Sequence, residues 1–293
     1  MFAQFFGNYL LNKQLVTPEQ LITGIQAKNE TRLKLGVLAI SAGYMSAAQV
    51  EEVHERQMLE DKRIGDIAVE LGYLTKEQLE ELLDTQKVGY LLLGQALVDK
   101  GYLTNGQFET AISDYKHQYQ IDESESDSFD DEKAEELIRS MCDFSSEDAM
   151  MYTKYLVLVM KNLIRFIGDD FTPLKPTRMY PLEIYKDVYQ KINGSFTTDT
   201  NIVFESADSM LAFANRFSGE GLGATDGEYI DAAVCDFLNI NNGLYTVNVS
   251  NELNMELRIT PPEVFDDMHD TKGSVMTFPV AYTFGTIYIT LSE

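Results

Sequence analysis

Asp236 and Asn239, two polar side chains three residues apart, are the pair in this sequence best placed to act on another molecule. They lie in the stretch DGEYIDAAVCDFLNINNGLYTVNVS, Asp226 to Ser250. Its apolar residues Ile230, Ala233, Phe237, Ile240, Leu244 and Val247 recur at steps of three and four, which predicts one long helix with a continuous apolar stripe. Residues three apart are neighbours on a helix surface, and at about 100° per residue the acid and the amide fall on the flank of the stripe. Ala232 lies one turn before Asp236, and Gly243 one turn after Asn239. Small residues there let another molecule come close to a carboxylate, which pairs with cations, and to a carboxamide, which both donates and accepts. Such a pair alone is ordinary solvated helix surface, so its meaning depends on the rest of the chain.

The other chemistry-bearing residues form no constellation. Cys142 and Cys235 are the two cysteines, far apart in sequence, and the expectation is reduced thiols in a cytoplasmic protein. Cys235 adjoins Asp236, but neighbours in sequence point apart on a helix, so it reads as packing. His54, His117 and His269 sit in three separate segments, and with no zinc-ligand spacing no metal site is expected. The glycine-rich run 219–224, GEGLGA, lacks the Lys-Ser/Thr of a P-loop. A formal charge of −24, from 23 basic and 47 acidic residues, repels nucleic acid and anionic membranes and suits a basic partner surface. No apolar run approaches the roughly 20 residues of a membrane span, so no membrane insertion is expected. The opening MFAQFFGNYLLNK lacks a basic n-region and reads as part of the fold rather than as a signal peptide.

Before the long helix comes a repeated module. Gly7, Gly36, Gly65 and Gly94 recur at a constant step of 29 (Gly7 to Gly36, Gly36 to Gly65, Gly65 to Gly94), and a period of this size predicts stacked supersecondary units over residues 1–120. Each unit reads as helix, turn, helix. The first helix ends at Gly43, Gly72 or Gly101, where glycine tolerates a left-handed stop; the first unit has Gln14 there. The second helix starts at Thr17, Ser46, Thr75 or Thr104, each followed three residues later by Gln20, Gln49, Gln78 or Gln107, the signature of a capping box. Leu21, Val50, Leu79 and Phe108 recur at inward positions.

The segment RIGDIAVELGYLTKEQLEELLDTQ, Arg63 to Gln86, resembles the RLGxxLxxxGLIxxxxLxxxLxxQ motif of the MshEN domain of type II secretion and type IV pilus ATPases. KLGVLAISAGYMSAAQVEEVHERQ, Lys34 to Gln57, would be a partner motif five residues upstream, with Lys34 in place of the first Arg. The resemblance implies a cyclic di-GMP site at Lys34, Leu35, Gly36, Gln57, Arg63, Ile64, Gly65 and Gln86, with an Arg fork reading phosphate or guanine and glycine allowing close backbone approach. The alternative from the residues alone is a helical interaction scaffold that shares the fold without the ligand.

Residues 121–136, IDESESDSFDDEKAEE, are acidic and almost devoid of apolar side chains, and are expected to form a solvated linker. The domain beyond it, 137–293, opens with a short helical patch at Ala134–Met141 and a helix from about Glu147 to Phe166. Pro173, Pro176 and Pro181 then break helices. Ile184, Lys186, Val188, Gln190 and Ile192 alternate with Tyr185, Asp187, Tyr189 and Lys191 in a strand pattern, Thr197–Glu205 follows as a second strand, and Ser206 starts a helix. After the long helix, Met255–Thr260, Val275–Ala281 and Thr286–Leu291 read as strands. The expected fold is thus two-domain: an all-α repeat module, then an α+β domain with an antiparallel sheet and long helices on one face.

Over Glu147–Glu293 this order resembles the CheX branch of the CheC/CheX/FliY chemotaxis phosphatases. That family carries an acid, two residues, an Asn, twenty-two residues and a Pro; here Asp236-Phe-Leu-Asn239 is followed by Pro262 at that spacing, with the frequent glycine at Gly243. The family acid is usually Glu, and an Asp or Ser often stands where this chain has Ala232. The resemblance implies that the helix enters the active site of a phosphorylated CheY-like response regulator. Asp236 would engage a regulator lysine and Asn239 would position water for attack on the aspartyl phosphate. Ala232 and Gly243 would admit the partner, whose own Mg²⁺ leaves this chain needing no cofactor. It also implies a homodimer through the C-terminal domain. A non-catalytic adaptor of the same fold, binding the regulator without hydrolysis, is the alternative.

Overall fold

The structure, a computed structural model, describes residues 2–28, 30–84, 89–119, 131–142, 144, 148–181, 183–269 and 274–292. The chain divides into two compact units, one of Ala3–Asp127 and one centred on Ser128–Glu293.

The first unit contains α1 (Phe2–Asn12), α2 (Pro18–Ala27), α3 (Leu35–Ser41), α4 (Ala47–Gln57), α5 (Ile64–Glu70), α6 (Lys76–Asp84), α7 (Gly89–Asp99) and α8 (Asn105–Gln118). These are the four expected helix pairs. Gly43, Gly72 and Gly101 take φ of 69°, 73° and 71°, and Gln14 takes 55° at the same place in the first pair. All four capping boxes form, with Thr17, Ser46, Thr75 and Thr104 each exchanging hydrogen bonds with the glutamine three residues on. The periodic glycine has a packing cause. A Cβ at Gly36 would fall 2.6 Å from Val50 Cγ1, at Gly65 2.8 Å from Leu79 Cδ1, and at Gly94 2.3 Å from Phe108 Cε2. Only glycine lets the two helices of a repeat approach this closely. The units do not form an open row. Phe6 packs edge-on against Phe108 and Tyr115 at centroid distances of 6.3 and 5.2 Å, joining the first repeat to the fourth. Pairs of helices of seven to fourteen residues cannot bury their apolar faces alone, and closing the set into a bundle covers them.

The second unit contains α9 (Asp131–Met141), α10 (Ala149–Phe166), β1 (Phe171–Pro173), β2 (Lys186–Gly194), β3 (Thr198–Phe204), α11 (Ala207–Ser218), α12 (Gly227–Leu253), β4 (Leu257–Ile259), β5 (Glu263–Phe265), β6 (Val275–Tyr282) and β7 (Gly285–Ser292). The sheet is antiparallel, in the order β1-β6-β7-β3-β2-β4, with β5 also on β2. Helices α10, α11 and α12 cover one face. The inward row Val188, Gln190, Ile192, Ile202, Phe204, Ile287, Ile289, Leu291, Phe278 and Val280 is buried against them. The architecture is the expected one: a helical region, then an α+β domain with a long helix.

Two expectations change. The acidic segment was expected to be linker through residue 136, but Asp131–Glu136 form the first turns of α9, where acidic side chains oppose the helix dipole favourably and Ala134, Leu137 and Ile138 bury. Residues 121–130 and the helix start at Ser146 and Glu147 lie outside the described residues. Pro173 lies in no helix, and it closes a short strand that the sequence reading lacked: β1, an edge strand paired with β6 through Phe171↔Tyr282 and Pro173↔Val280, where an edge tolerates proline. The apolar stripe of α12 fails in its second half. Ile230, Ala233 and Phe237 are buried, but Ile240, Leu244 and Val247 are 40%, 38% and 55% exposed, while Asn241, Asn242 and Tyr245 face inward. Hydrogen bonds draw the two asparagines in, as described next.

Candidate functional site

The outward side of α12 has a centre and a rim. At about 100° per residue, Ala232, Asp236, Asn239 and Gly243 fall within about 60° of one another around the helix. Ala232, Asp236 and Asn239 are exposed, and a Cβ at Gly243 would meet nothing within 4 Å. Tyr229, 69% exposed, and the exposed Ile240, Leu244 and Val247 border this strip on one side. The structure therefore brings all four residues of the expected partner face together. It adds an apolar rim that the sequence reading had assigned to the core.

Asp236 makes no hydrogen bond or ion pair among the described residues. Asp231, five residues earlier, points elsewhere: it is half-buried, with Oδ2 3.7 Å from Lys186 Nζ. Burial, with help from Asp231 and Asp236, pushes the Cys235 thiol up to about 11, so this cysteine is a neutral packing group.

Asn239 is exposed but anchored from behind. Its Oδ1 accepts a hydrogen bond at 2.8 Å from Nε2 of Gln190 on β2. Gln190 is fully buried and its Nε2 also donates to the Thr260 carbonyl at 2.7 Å. Gln190 Oε1 accepts from Asn242 Nδ2 at 2.9 Å, and that same nitrogen donates to Thr200 Oγ1 at 2.8 Å. Asn242 Oδ1 accepts from the Tyr155 hydroxyl at 2.8 Å, and Asn162 Nδ2 donates to Asn241 Oδ1 at 2.8 Å. This network runs from the buried faces of α10 and β2 to the outward strip of α12. Buried amides are stable only when so satisfied, which explains why Asn241 and Asn242 displace Ile240 and Leu244 from the inward face. Gln190 escaped the sequence reading as a site residue. The signal was its place in the apolar series with Val188 and Ile192, where an amide needs partners. Thr260 sits just before Pro261-Pro262, so the proline spaced from Asn239 lies in the link between β4 and β5 whose Thr260 carbonyl holds Gln190.

In the first unit, Lys34 and Arg63 occupy the N-cap positions of α3 and α5, and neither side chain caps its helix. Lys34 Nζ pairs with Asp99 Oδ1 at 2.6 Å, while its backbone N–H donates to Gln95 Oε1. Arg63 is exposed, with no partner among the described residues. Leu35, Gly36 and Ile64 meet in an apolar crevice of about 10 Å³, the room of one water, and a Cβ at Gly65 would touch Leu35. Gln57 Nε2 donates to the Lys62 carbonyl at 3.2 Å, and Gln86 lies outside the described residues. The close approach that Gly36 and Gly65 allow is taken up by Val50 and Leu79.

Among the described residues, no group of three or more His, Cys, Asp or Glu side chains could hold a metal ion, and no helix is long and apolar enough to cross a membrane.

No protein-family model matches the sequence, and no curated protein does. The C-terminal half matches solved CheX, CheC-like and FliY structures. A chemotaxis protein CheX from Desulfovibrio desulfuricans is 17% identical, with a TM-score of 0.42 over 48% of this chain and 97% of that one. CheX in the CheX–CheY–BeF3–Mg complex from Borrelia burgdorferi is 16% identical, with a TM-score of 0.41 over 48% and 96%. FliY from Thermotoga maritima is 14% identical, with a TM-score of 0.37 over 52% and 93%. The likeness is one of fold. None of these matches supports an MshEN module in the N-terminal repeats.

Proposed function

We propose that the second unit is a phosphatase for the aspartyl phosphate of a CheY-like response regulator, and that the helical repeats localise it. The observation that carries this reading is one exposed strip of α12 that holds an unengaged carboxylate, Asp236, beside a carboxamide anchored from behind, Asn239. Small residues in the strip and an apolar rim beside it suit insertion into a partner's cleft.

In this reading Asp236 forms a charge-assisted pair with a regulator lysine and fixes the helix in register. The outward Nδ2 of Asn239 donates to the oxygen of a water and holds it in line with the phosphorus. The water oxygen bonds to phosphorus as the bond from phosphorus to the acyl oxygen breaks. The regulator recovers its carboxylate, inorganic phosphate leaves, and the water's proton passes to phosphate or solvent. Mg²⁺ carried by the regulator supplies charge neutralisation at the phosphoryl group. Positioning of this kind needs neither a nucleophile nor a metal ligand on this chain. The reading assigns the repeats no nucleotide: Lys34 pairs with Asp99 at the surface, and Gly36 and Gly65 pack against Val50 and Leu79.

The test is the decay rate of a radiophosphate-labelled CheY-like regulator from the same organism, alone, with the wild-type protein and with Asn239→Ala. Acceleration by wild type and none by the variant is the expected result. Equal acceleration by both removes Asn239 from the chemistry and overturns the assignment. No acceleration, with binding to the beryllofluoride-activated regulator retained, makes the protein an adaptor.

A further inference from the structure

We infer that Gln190 is a positioning residue for Asn239: it decides which end of the Asn239 carboxamide faces the partner. The inference rests on the phosphatase reading for its consequence, but its geometric content stands apart from it.

The nitrogen and oxygen of a carboxamide are alike in size, so only hydrogen-bond partners of fixed character tell them apart. Two such partners flank this network. The Thr260 carbonyl can only accept, so the atom of Gln190 that lies 2.7 Å from it is the amide nitrogen. Thr260 itself is pinned to β2, its N–H donating to the Lys191 carbonyl at 3.0 Å and its Oγ1 accepting from the Lys191 N–H at 3.1 Å. The second partner is the backbone carbonyl of Gln190, which accepts from Thr200 Oγ1 at 2.7 Å. That spends the Thr200 proton, so Thr200 Oγ1 accepts from Asn242, and the nitrogen of Asn242 faces both Thr200 and Gln190 Oε1. Two acceptor-only carbonyls thus impose the same orientation on Gln190, with its oxygen toward Asn242 and its nitrogen toward Thr260 and Asn239. The remaining Nε2 proton meets Asn239 Oδ1 at 2.8 Å.

Asn239 therefore presents its NH₂ group outward. A carboxamide on a solvated helix face would otherwise flip between two orientations of similar energy. Here the exposed group is a fixed donor, suited to a water oxygen or a phosphoryl oxygen and unsuited to a partner's N–H. Gln190→Glu reverses this, because the carboxylate oxygen beside Asn239 can only accept, so it takes Asn239 Nδ2 and turns the Asn239 oxygen outward. Gln190→Met leaves Asn239 unoriented.

The decisive experiment is NMR measurement of scalar couplings across hydrogen bonds in the labelled full-length protein. A correlation from Gln190 Nε2 to Asn239 Cγ is expected, with that from Gln190 Nε2 to the Thr260 carbonyl carbon as the internal standard. Absence of the first with the second present, or a correlation from Asn239 Nδ2 to Gln190 Cδ, overturns the inference. In the phosphatase assay, Gln190→Glu is expected to lower kcat by at least about tenfold and Gln190→Met by a few-fold. KM for the phosphorylated regulator should stay near wild type, while the urea unfolding midpoint of Gln190→Met should fall, because the Thr260 carbonyl and Asn242 Nδ2 each lose a partner. Loss through KM alone would assign Gln190 to the fold and not to positioning. If the wild-type protein shows no phosphatase activity, the proposed function fails while the coupling measurement still decides the orientation of Asn239.

Discussion

The Tyr155 hydroxyl on α10 donates to Asn242 Oδ1 on α12 at 2.8 Å, with both side chains fully enclosed between the helices and the sheet. Burial holds the Tyr155 phenol above its ordinary range, so it stays a donor at any pH the protein meets. Tyr155→Phe keeps the edge-on packing against Tyr245, whose centroid is 5.2 Å away. It leaves Asn242 Oδ1 with only a longer bond, 3.3 Å from Asn241 Nδ2. The expected cost is about 1–2 kcal/mol, read as a lower urea midpoint with an unchanged slope. A variant as stable as wild type would show that the network tolerates an unpaired oxygen.

Gly94 and Gly243 answer the same substitution in opposite ways. At Gly94 an added Cβ would press on the Phe108 ring at 2.3 Å, so Gly94→Ala should destabilise the first unit by roughly 1–3 kcal/mol. At Gly243 the space is open and the backbone is helical. Gly243→Ala should stabilise α12 by up to about 1 kcal/mol while weakening association with the activated regulator. Paired unfolding and titration measurements check both signs. Stronger regulator binding by Gly243→Ala would remove the strip around it from the interface.

Asp236 is one methylene shorter than the glutamate common in the family that the motif resembles. No hydrogen bond or ion pair within the chain restrains it among the described residues. Asp236→Glu should therefore leave the fold unchanged and raise the dephosphorylation rate, since the longer side chain reaches the regulator lysine with less strain on the near-attack geometry. Asp236→Ala should lower the rate by at least about tenfold. Equal rates for Asp, Glu and Ala at this position would show that the carboxylate takes no part.

The Asp170 carboxylate receives Arg216 Nη1 at 2.5 Å, Arg216 Nη2 at 3.0 Å and the Thr283 hydroxyl at 2.6 Å. Burial pushes its carboxyl up, but these hydrogen bonds outweigh that and hold it below the usual carboxylate range. A folded-state value below the unfolded one of about 4 means stability present above that pH and lost as pH falls through the lower folded value. Asp170→Asn should therefore cost roughly 2 kcal/mol near neutrality, and the difference from wild type should vanish toward acid. Urea titrations at several pH values test this; a pH-independent difference would assign the loss to shape and not to charge.

Local rules made much of this molecule legible from its sequence. The four capping boxes and the left-handed stops at Gly43, Gly72 and Gly101 depend on a few residues each, and the structure forms them as read. The strand β2 follows from the period-two alternation of its residues, and α12 from the three- and four-residue steps between its apolar residues. Asp236 and Asn239 could be placed on one helix flank because helical geometry alone fixes that relation.

Only the tertiary structure could say which way the helix faces. A stripe of Ile240, Leu244 and Val247 predicts burial on hydrophobicity alone. The outcome was reversed by partners on other elements, Tyr155 and Asn162 on α10 and Gln190 and Thr200 on the sheet, far from Asn241 and Asn242 in sequence. Hydrogen bonds among buried amides depend on where distant segments meet, and no periodicity records that. The sequence by itself therefore determined the long elements, the repeats and the placing of the acid beside the amide, but not the three-residue strands β1 and β5, which only pairing with distant strands defines. The fold decided that the amide is held from behind, that its NH₂ faces outward, and that an apolar rim lies beside it.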